Sequence, residues 1–513
     1  MAPPLSFLAA SASLLAAAVP SRGSSARVHR AGGAATLGLI LIFAACAVPA
    51  IAAYPDEQIM GVVAKALGAD HALGWTNNTS PCVDGWIGVV CDQVGRVTAI
   101  YARNTGLNGT LPPDIGGLAA LHELDLRDNS IRGELPNQYF LDLMRLRLDG
   151  NNFTSIPTGF LRFGTSLQIF TISNSSHLQS WELPRGPYGP LGFETTLQVY
   201  IADNAHLAGN LSLFLGSNNS FNSLNVLSLA NNNLTGEVRA TFASRTLTQL
   251  DLSHNMLTGP VSFLGNLREL EEIRLNGNGF TGPLPDFSGH WSLTLVDLAH
   301  NRLTGVVPAS LVQLGGLRSV SIKHNLFQGA VPEFAGSVLT DIAEAASNES
   351  FCRPQPGPCD RRVQSFIAIA GGFRFPEDLA ASWKGNDPCD RWLGIYCNKN
   401  GEITGVNFGH LKFNGTLHPA FGDLKSLMMI IVAGNNLTGT VPPSIAALPS
   451  LRIIDVSDNS LSGTMPTFRS GVMIWAGGNK NLTVAGASRL CITDPMRRFA
   501  AAAAAAIVVL VLA

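Results

Sequence analysis

One ten-residue pattern occurs four times in the middle of the chain. It reads Leu227-Ser-Leu229-Ala-Asn-Asn232-Asn-Leu234-Thr-Gly236, then Leu250-Asp-Leu252-Ser-His-Asn255-Met-Leu257-Thr-Gly259, and continues through Asn278 to Gly282 and Asn301 to Gly305. The asparagines at 232, 255, 278 and 301 are each 23 residues apart. A fixed period of about 20–29 residues with leucines at these offsets is a leucine-rich repeat, and it dictates a solenoid. In Leu-x-Leu the period is two, so both leucines face one side of a short strand and the residue between them faces outward. The asparagine amide both donates and accepts, and so can satisfy backbone groups that a tight turn leaves unpaired inside. In tails such as Gly282-Pro-Leu-Pro285 the glycine relaxes the turn and the proline fixes φ.

Earlier copies run through Asn129 and Asn151, less regular ones through Asn174 and Asn204, and a further regular one holds Asn325. The stretch Trp181 to Thr195, with Pro184, Pro187 and Pro190, breaks the period and reads as a loop leaving the solenoid. After Pro332 the pattern stops, and it returns as Asn435 and Asn459, 24 residues apart. Solenoid ends expose a core edge and need caps. The first cap reads Trp75…Cys82…Trp86-Ile-Gly-Val-Val-Cys91, and the interruption carries a second, Trp383…Cys389…Trp392-Leu-Gly-Ile-Tyr-Cys397. Before each lies a helical patch: Ile59, Val62, Val63 and Leu67 after Asp56, and Val363, Phe366, Ile367 and Ala370 after Asp360. Either aspartate suits a helix N-cap. The expected fold is thus an α/β repeat, a right-handed leucine-rich-repeat solenoid in two blocks, each preceded by a disulfide-bearing helical cap. The expected boundaries are a targeting segment at 1–53, a cap at 54–94, a first block at 95–334, and a non-repeat island with the second cap at 335–400. A second block at 401–468, a linker at 469–488 and a tail at 489–513 complete the chain.

The net charge of -2 implies no bulk attraction to nucleic acid. No acidic residue precedes Asp56, and the apolar stretch Ala35 to Ala53 behind Arg27 and Arg30 reads as a secretory signal with a small-x-small site at Ala50-Ile51-Ala52. The Arg/Ser-rich extension upstream reads either as transit-like or as lying before the true start. Six cysteines form close pairs, Cys82/Cys91, Cys352/Cys359 and Cys389/Cys397, which suit local disulfides in an oxidising compartment. Zinc is the competing reading, but no pair has CxxC spacing or an accompanying histidine. Sequons at Asn108, Asn152, Asn233, Asn348, Asn414, Asn436 and Asn481 are candidate glycosylation sites. The tail, Phe499 to Ala513, is short for a spanning helix. With Gly486-Ala487-Ser488 and a polar spacer before it, it follows the order of a GPI signal with Gly486 as attachment residue. A truncated transmembrane segment is the alternative.

Ser350-Phe-Cys352…Cys359-Asp360 and Trp383-Lys-Gly-Asn-Asp-Pro-Cys389, followed by two or three further repeats, resemble the ectodomain of the plant transmembrane-kinase (TMK) family of leucine-rich-repeat receptor kinases. The resemblance covers roughly Asp56 to Arg469. It implies a site outside the plasma membrane, an extracellular protein or peptide ligand, and a co-receptor kinase or apoplastic auxin-binding cupin proteins as partners in auxin signalling. The family's kinase signatures do not occur in these 513 residues: there is no Gly-rich phosphate loop, His-Arg-Asp or Asp-Phe-Gly.

No cofactor, metal site or catalytic constellation is expected. His122-Glu123 lacks the second histidine of a zinc helix, and Asp251-Leu-Ser253-His254 is explained by its repeat positions. Candidate binding residues are instead the outward strand positions: Asp125, Arg127, Arg147, Asp149, Asp251, Ser253, Arg274, Asn276, Asp297, Ser321 and Lys323. On a solenoid they share one concave face. The expected function is extracellular ligand binding of receptor type, without a kinase of its own, with a secreted inhibitor or wall-associated scaffold, or a truncated receptor serine/threonine kinase, as alternatives.

Overall fold

A computed structural model gives the structure at residues 56–76, 78–137, 142–157, 160, 166–182, 196–215, 223–342 and 350–483. The signal-like segment, Asn348, Gly486 and the C-terminal tail lie outside the described residues. Among the described residues no helix is long and apolar enough to cross a membrane.

The first leucine of each Leu-x-Leu becomes the middle of a three-residue strand, such as Val226–Ser228 or Gln249–Asp251, and successive coils stack these strands in parallel and in register. Leu227 lies beside Leu250, Leu250 beside Ile273, Ile273 beside Val296 and Val296 beside Val320. All five are buried, as are the second residues of the pattern, Leu229, Leu252, Leu275 and Leu298. The described residues form one sheet of twelve strands running from Val89–Cys91 to Leu339–Asp341. A separate sheet of five runs from Ile395–Cys397 to Met473–Trp475. A second ladder flanks the long sheet. It has seven strands, from Trp181–Glu182 to Leu326–Phe327, made by the Asn-Leu-Thr-Gly half of each repeat.

The repeat asparagines stitch the coils together. Asn255 Nδ2 donates to the carbonyls of Leu229 at 2.9 Å and Leu252 at 3.1 Å, while its Oδ1 accepts from the Leu234 N–H at 3.0 Å. Asn278, Asn301, Asn435 and Asn459 make the same three-way contact. Every such amide joins its own coil to the one before it.

The two cap regions are built alike. Trp75 stacks on Trp86 and Trp383 on Trp392, each with ring centroids 5.4 Å apart. The first tryptophan of each pair donates its indole N–H at 3.1 Å to a carbonyl beside the second, Ile87 or Leu393. An antiparallel hairpin follows in each, Val89–Cys91 with Val97–Tyr101 and Ile395–Cys397 with Ile403–Asn407. Disulfides join Cys82 to Cys91, Cys352 to Cys359 and Cys389 to Cys397.

The second cap is fastened to the flank of the preceding coils. Thr304 Oγ1 donates to the Phe375 carbonyl at 2.8 Å, the Cys352 N–H to the Gly329 carbonyl at 2.9 Å, and Arg302 pairs with Glu377. Gly305 has φ of 79°, and a Cβ there would stand 2.9 Å from the Phe375 ring. A glycine is therefore required on both counts, backbone and space.

Several expectations need correction. Val62 is 46% exposed, and Met60 and Ala64 take the inner face of helix Asp56–Leu67 with Ile59, Val63 and Leu67. Asp56 sends its carboxylate to the Val97 N–H at 2.7 Å, tying the helix to the first repeat strand, whereas Asp360 does cap its helix, accepting from Arg362 N–H at 2.8 Å. Trp181 and Glu182 are a strand paired with Leu207 and Ala208, not part of a loop. The ladders also outrun the legible pattern. Leu339–Asp341 adds a strand after Pro332, and Met473–Trp475 and Asn481–Thr483 lie in the segment expected to be a linker. There Asn479 takes the repeat role, accepting from Leu461 N–H and donating to the Val456 carbonyl, both at 2.9 Å. Its coil has Ile474 and Ala476 at the leucine positions and comes only 20 residues after Asn459, which disguised it.

Candidate binding face

Register fixes which side chains share the outward face of the long sheet. The middle row, between the two buried leucines of each strand, runs Asp125, Arg147, Thr171, Ile201, Ser228, Asp251, Arg274, Asp297, Ser321, Asp341. A first row lies two residues before it, and includes Glu123, Arg145, Ile169, Val199, Val226, Gln249 and Glu272. A third row, two residues after it, holds Arg127, Asp149, Ser173, Asp203, Ala230, Ser253, Asn276, Ala299 and Lys323, kept in step by backbone bonds such as Asp128 N–H to the Asp149 carbonyl. All eleven candidates named from sequence fall in the middle or third row. Two of them, Asp125 and Ser253, are only 6% exposed. Asp125 is covered by the Arg127 guanidinium, and Ser253 donates its hydroxyl inward to Asp251 at 2.6 Å.

Ion pairs occupy much of the charge. Arg127 pairs with Asp125, Arg145 with Glu123, Arg274 with Glu272 and Lys323 with Asp341. Burial would raise the Asp125 carboxyl, but hydrogen bonds from Arg127 outweigh it and hold the group below its ordinary value. The Lys323 ammonium likewise holds Asp341 down. Arg147 has no ion pair or side-chain hydrogen bond among the described residues.

Carboxylates without an ion-pair partner among the described residues line the centre. Asp203 accepts from the Ser228 hydroxyl and the Ala230 N–H, both at 2.7 Å. Burial nonetheless pushes its pKa up, and the charges of Asp251 and Asp149 push the same way. Asp297 is raised too, by burial and by the charges of Asp341 and Asp251, although the Ala299 N–H and the Arg274 charge oppose this. Beside Asp203 the face turns apolar: Ile169, Val199, Ile201 and Val226 are half-buried neighbours on three adjacent strands. Sequence reasoning missed this patch because the coils through Asn174 and Asn204 are irregular. The usable signal was the strand register, which a break in period conceals. Among the described residues no group of three or more His, Cys, Asp or Glu could hold a metal ion.

The family model "Leucine rich repeat N-terminal domain" matches residues 56–92 and again 360–398, and "Leucine Rich Repeat" matches 246–267 and 292–314. The chain is 35% identical to the Arabidopsis thaliana "Receptor-like kinase TMK2", over 73% of this chain and 42% of that protein. It is 36% identical to the rice (Oryza sativa subsp. japonica) "Receptor protein kinase WSS1", over 76% of this chain and 41% of that one. It thus spans about two fifths of the length of these curated relatives. Among solved structures, the Arabidopsis receptor kinase HAESA, in complex with the peptide hormone IDA and the co-receptor SERK1, is 20% identical with a TM-score of 0.40, covering 80% of this chain and 71% of that one. Tandem cap matches, repeat strands and identity across three quarters of its length agree: the chain is a leucine-rich-repeat protein similar to the leucine-rich-repeat ectodomain of the plant TMK receptor-like kinases.

Proposed function

We propose that this chain is the extracellular, ligand-binding part of a receptor at the plant cell surface, and that the outward face of the long sheet does the binding. The observation that carries this reading is the face itself. It is a continuous, rigidly registered surface whose central strands carry half-exposed apolar side chains and unpaired charge, where a merely solvated face needs neither. The ligand is an extracellular protein or peptide. The HAESA complex, which holds a peptide hormone and a co-receptor, illustrates one such assembly for that protein. Family resemblance adds apoplastic auxin-binding cupin proteins as candidate partners. In this reading the chain holds two repeat blocks, each started by its own cap, sequons such as Asn233 and Asn436 carry glycans, and the C-terminal tail holds the chain at the membrane.

The test is expression of the full tagged chain in plant cells. Surface biotinylation, a mass shift on deglycosylation, and co-purification with a tagged cupin protein in an auxin-dependent manner are the expected results. Release by a phosphatidylinositol-specific phospholipase assigns the tail as a GPI signal. An intracellular, unglycosylated chain sinks the receptor reading.

A further inference from the structure

The two caps match at an offset of 306 residues. Trp86 answers to Trp392, and Gly109 to Gly415, each glycine pressed against a carbonyl in the last turn of its cap helix, Ala66 or Gly372. A residue that the cap fold itself demands should recur in both copies. At the end of the helix it does not. Helix Arg361–Gly372 closes with the Phe375 N–H on the Ala370 carbonyl at 2.7 Å and the Arg374 N–H on the Gly371 carbonyl at 3.0 Å. That closure sets Arg374 at the left-handed position, with φ of 62°, and Phe375 follows at 53°. The first cap has Gly68 at the matching position, with φ of 70° and its N–H on the Lys65 carbonyl at 3.3 Å. Glycine bears this φ freely and arginine does not. The second cap thus keeps an arginine where its own counterpart shows that glycine serves the fold.

Arg374 is exposed and has no ion pair or side-chain hydrogen bond among the described residues. It borders a groove of about 670 Å³ between its helix and the flanking strands Asn414–Thr416 and Asn436–Thr438. Val306, Ile367 and Phe375 supply apolar wall. His418 also lines it, and its Nδ1 accepts from the Ala420 N–H at 3.2 Å, which leaves the other ring nitrogen as the donor. No carboxylate lines the groove, and nearby Glu377 is taken by Arg302. We propose that this groove binds a small organic carboxylate with an apolar body, Arg374 acting as its counter-ion. Three observations select this occupant. An unpaired guanidinium with no facing carboxylate favours an anion, and its planar fork fits a carboxylate. The apolar wall beside it fits a hydrocarbon body. The two strands that close the groove carry the sequon asparagines Asn414 and Asn436, whose side chains lie together, Nδ2 to Oδ1 at 2.9 Å. Glycans there would crowd out a globular partner and leave room for a small molecule. Only this size limit rests on the receptor reading above; the site is separate from the outward face of the long sheet. A left-handed arginine is retained because its charge is used.

The test titrates the full secreted chain with 3-phenylpropanoate, 3-phenylpropanamide and 3-phenylpropylamine, which share one body and differ in charge, and reads binding by calorimetry. The carboxylate is expected to bind about tenfold tighter than the amide, with the amine weakest. R374G, which copies the first cap, should bind carboxylate and amide alike while its melting temperature stays the same or rises. R374K should keep part of the preference. Near-UV circular dichroism checks that both variants fold. Equal binding of the three probes to the unmodified chain overturns the proposal, as does a lower melting temperature in R374G, which would make the arginine a structural residue. Binding of acetyl-Ala-Ala-Phe with a free carboxylate, but not of 3-phenylpropanoate, overturns it too, in favour of a peptide C-terminus. Surface biotinylation and deglycosylation are read separately, so either this site or the receptor reading can fail alone.

Discussion

Each repeat asparagine uses one amide to hold three buried backbone groups. In Asn255→Ala the Leu234 N–H loses its asparagine acceptor, while the Leu229 and Leu252 carbonyls each lose one of two amide donors and keep Asn232 and Asn278 respectively. One stranded buried polar group costs about 1–3 kcal/mol, so the substitution is expected to cost about 2 kcal/mol, read as a lower denaturant midpoint. The asparagine role was legible because it is local and periodic. The ion pairs were not: Arg145 meets Glu123 on the preceding strand, 22 residues away, and nothing in either repeat names the other. Asp203 allows a sharper test. Its folded-state pKa is raised, so the folded chain holds the proton more tightly than the unfolded one. Such a group removes stability as pH rises from the ordinary value of 3.8 through the raised one, and the loss is complete above it. Asp203→Asn should therefore raise the melting temperature at about pH 7, with the gain fading to nothing near pH 3. An equal gain at both pH values would mean that the side chain acts through packing instead.

At the scale of elements, the caps decide whether the end coils stay closed. Replacing Cys389 and Cys397 together by alanine opens a loop with a sequence separation of 8. Removal of so short a bridge is expected to cost about 2–3 kcal/mol. Tryptophan fluorescence reports it directly, since Trp383 and Trp392 stack within the same cap. An unchanged unfolding midpoint would show that the stacked indoles close the cap without the bridge. The caps were readable in sequence because tryptophans, glycine and cysteines recur at nearly fixed offsets. The strands Trp181–Glu182, Leu339–Asp341 and Met473–Trp475 were not. A strand of two or three residues at the end of a ladder is defined by its neighbour's backbone, and its own side chains carry little signal. The apolar patch at Ile169, Val199 and Val226 was hidden for a related reason: which residues meet across a sheet depends on coil length, and there the coil length varies.

In the whole molecule, the second cap grips the flanking ladder through Thr304, Gly305 and Arg302. The Arg302–Glu377 pair is largely open to water on the arginine side and contributes about 0–1 kcal/mol. Thr304 is buried and its contact with the half-buried Phe375 is partly shielded, so Thr304→Val, which removes the donor to the Phe375 carbonyl, is the better probe. It is expected to cost about 1 kcal/mol overall and to raise amide hydrogen exchange in the helix Arg361–Gly372 far more than in the repeat strands. Uniform exchange across the chain would show that this bond does not fasten the cap. The same arrangement bears on how the chain comes into being. A solenoid whose coils contact only their neighbours can start to form wherever a closed end exists. This one has two such starting points, built alike, about 300 residues apart in order of synthesis. The first ladder can be complete before the second cap leaves the ribosome, and Phe375 then arrives at a finished surface on which Gly305 has already left room for its ring.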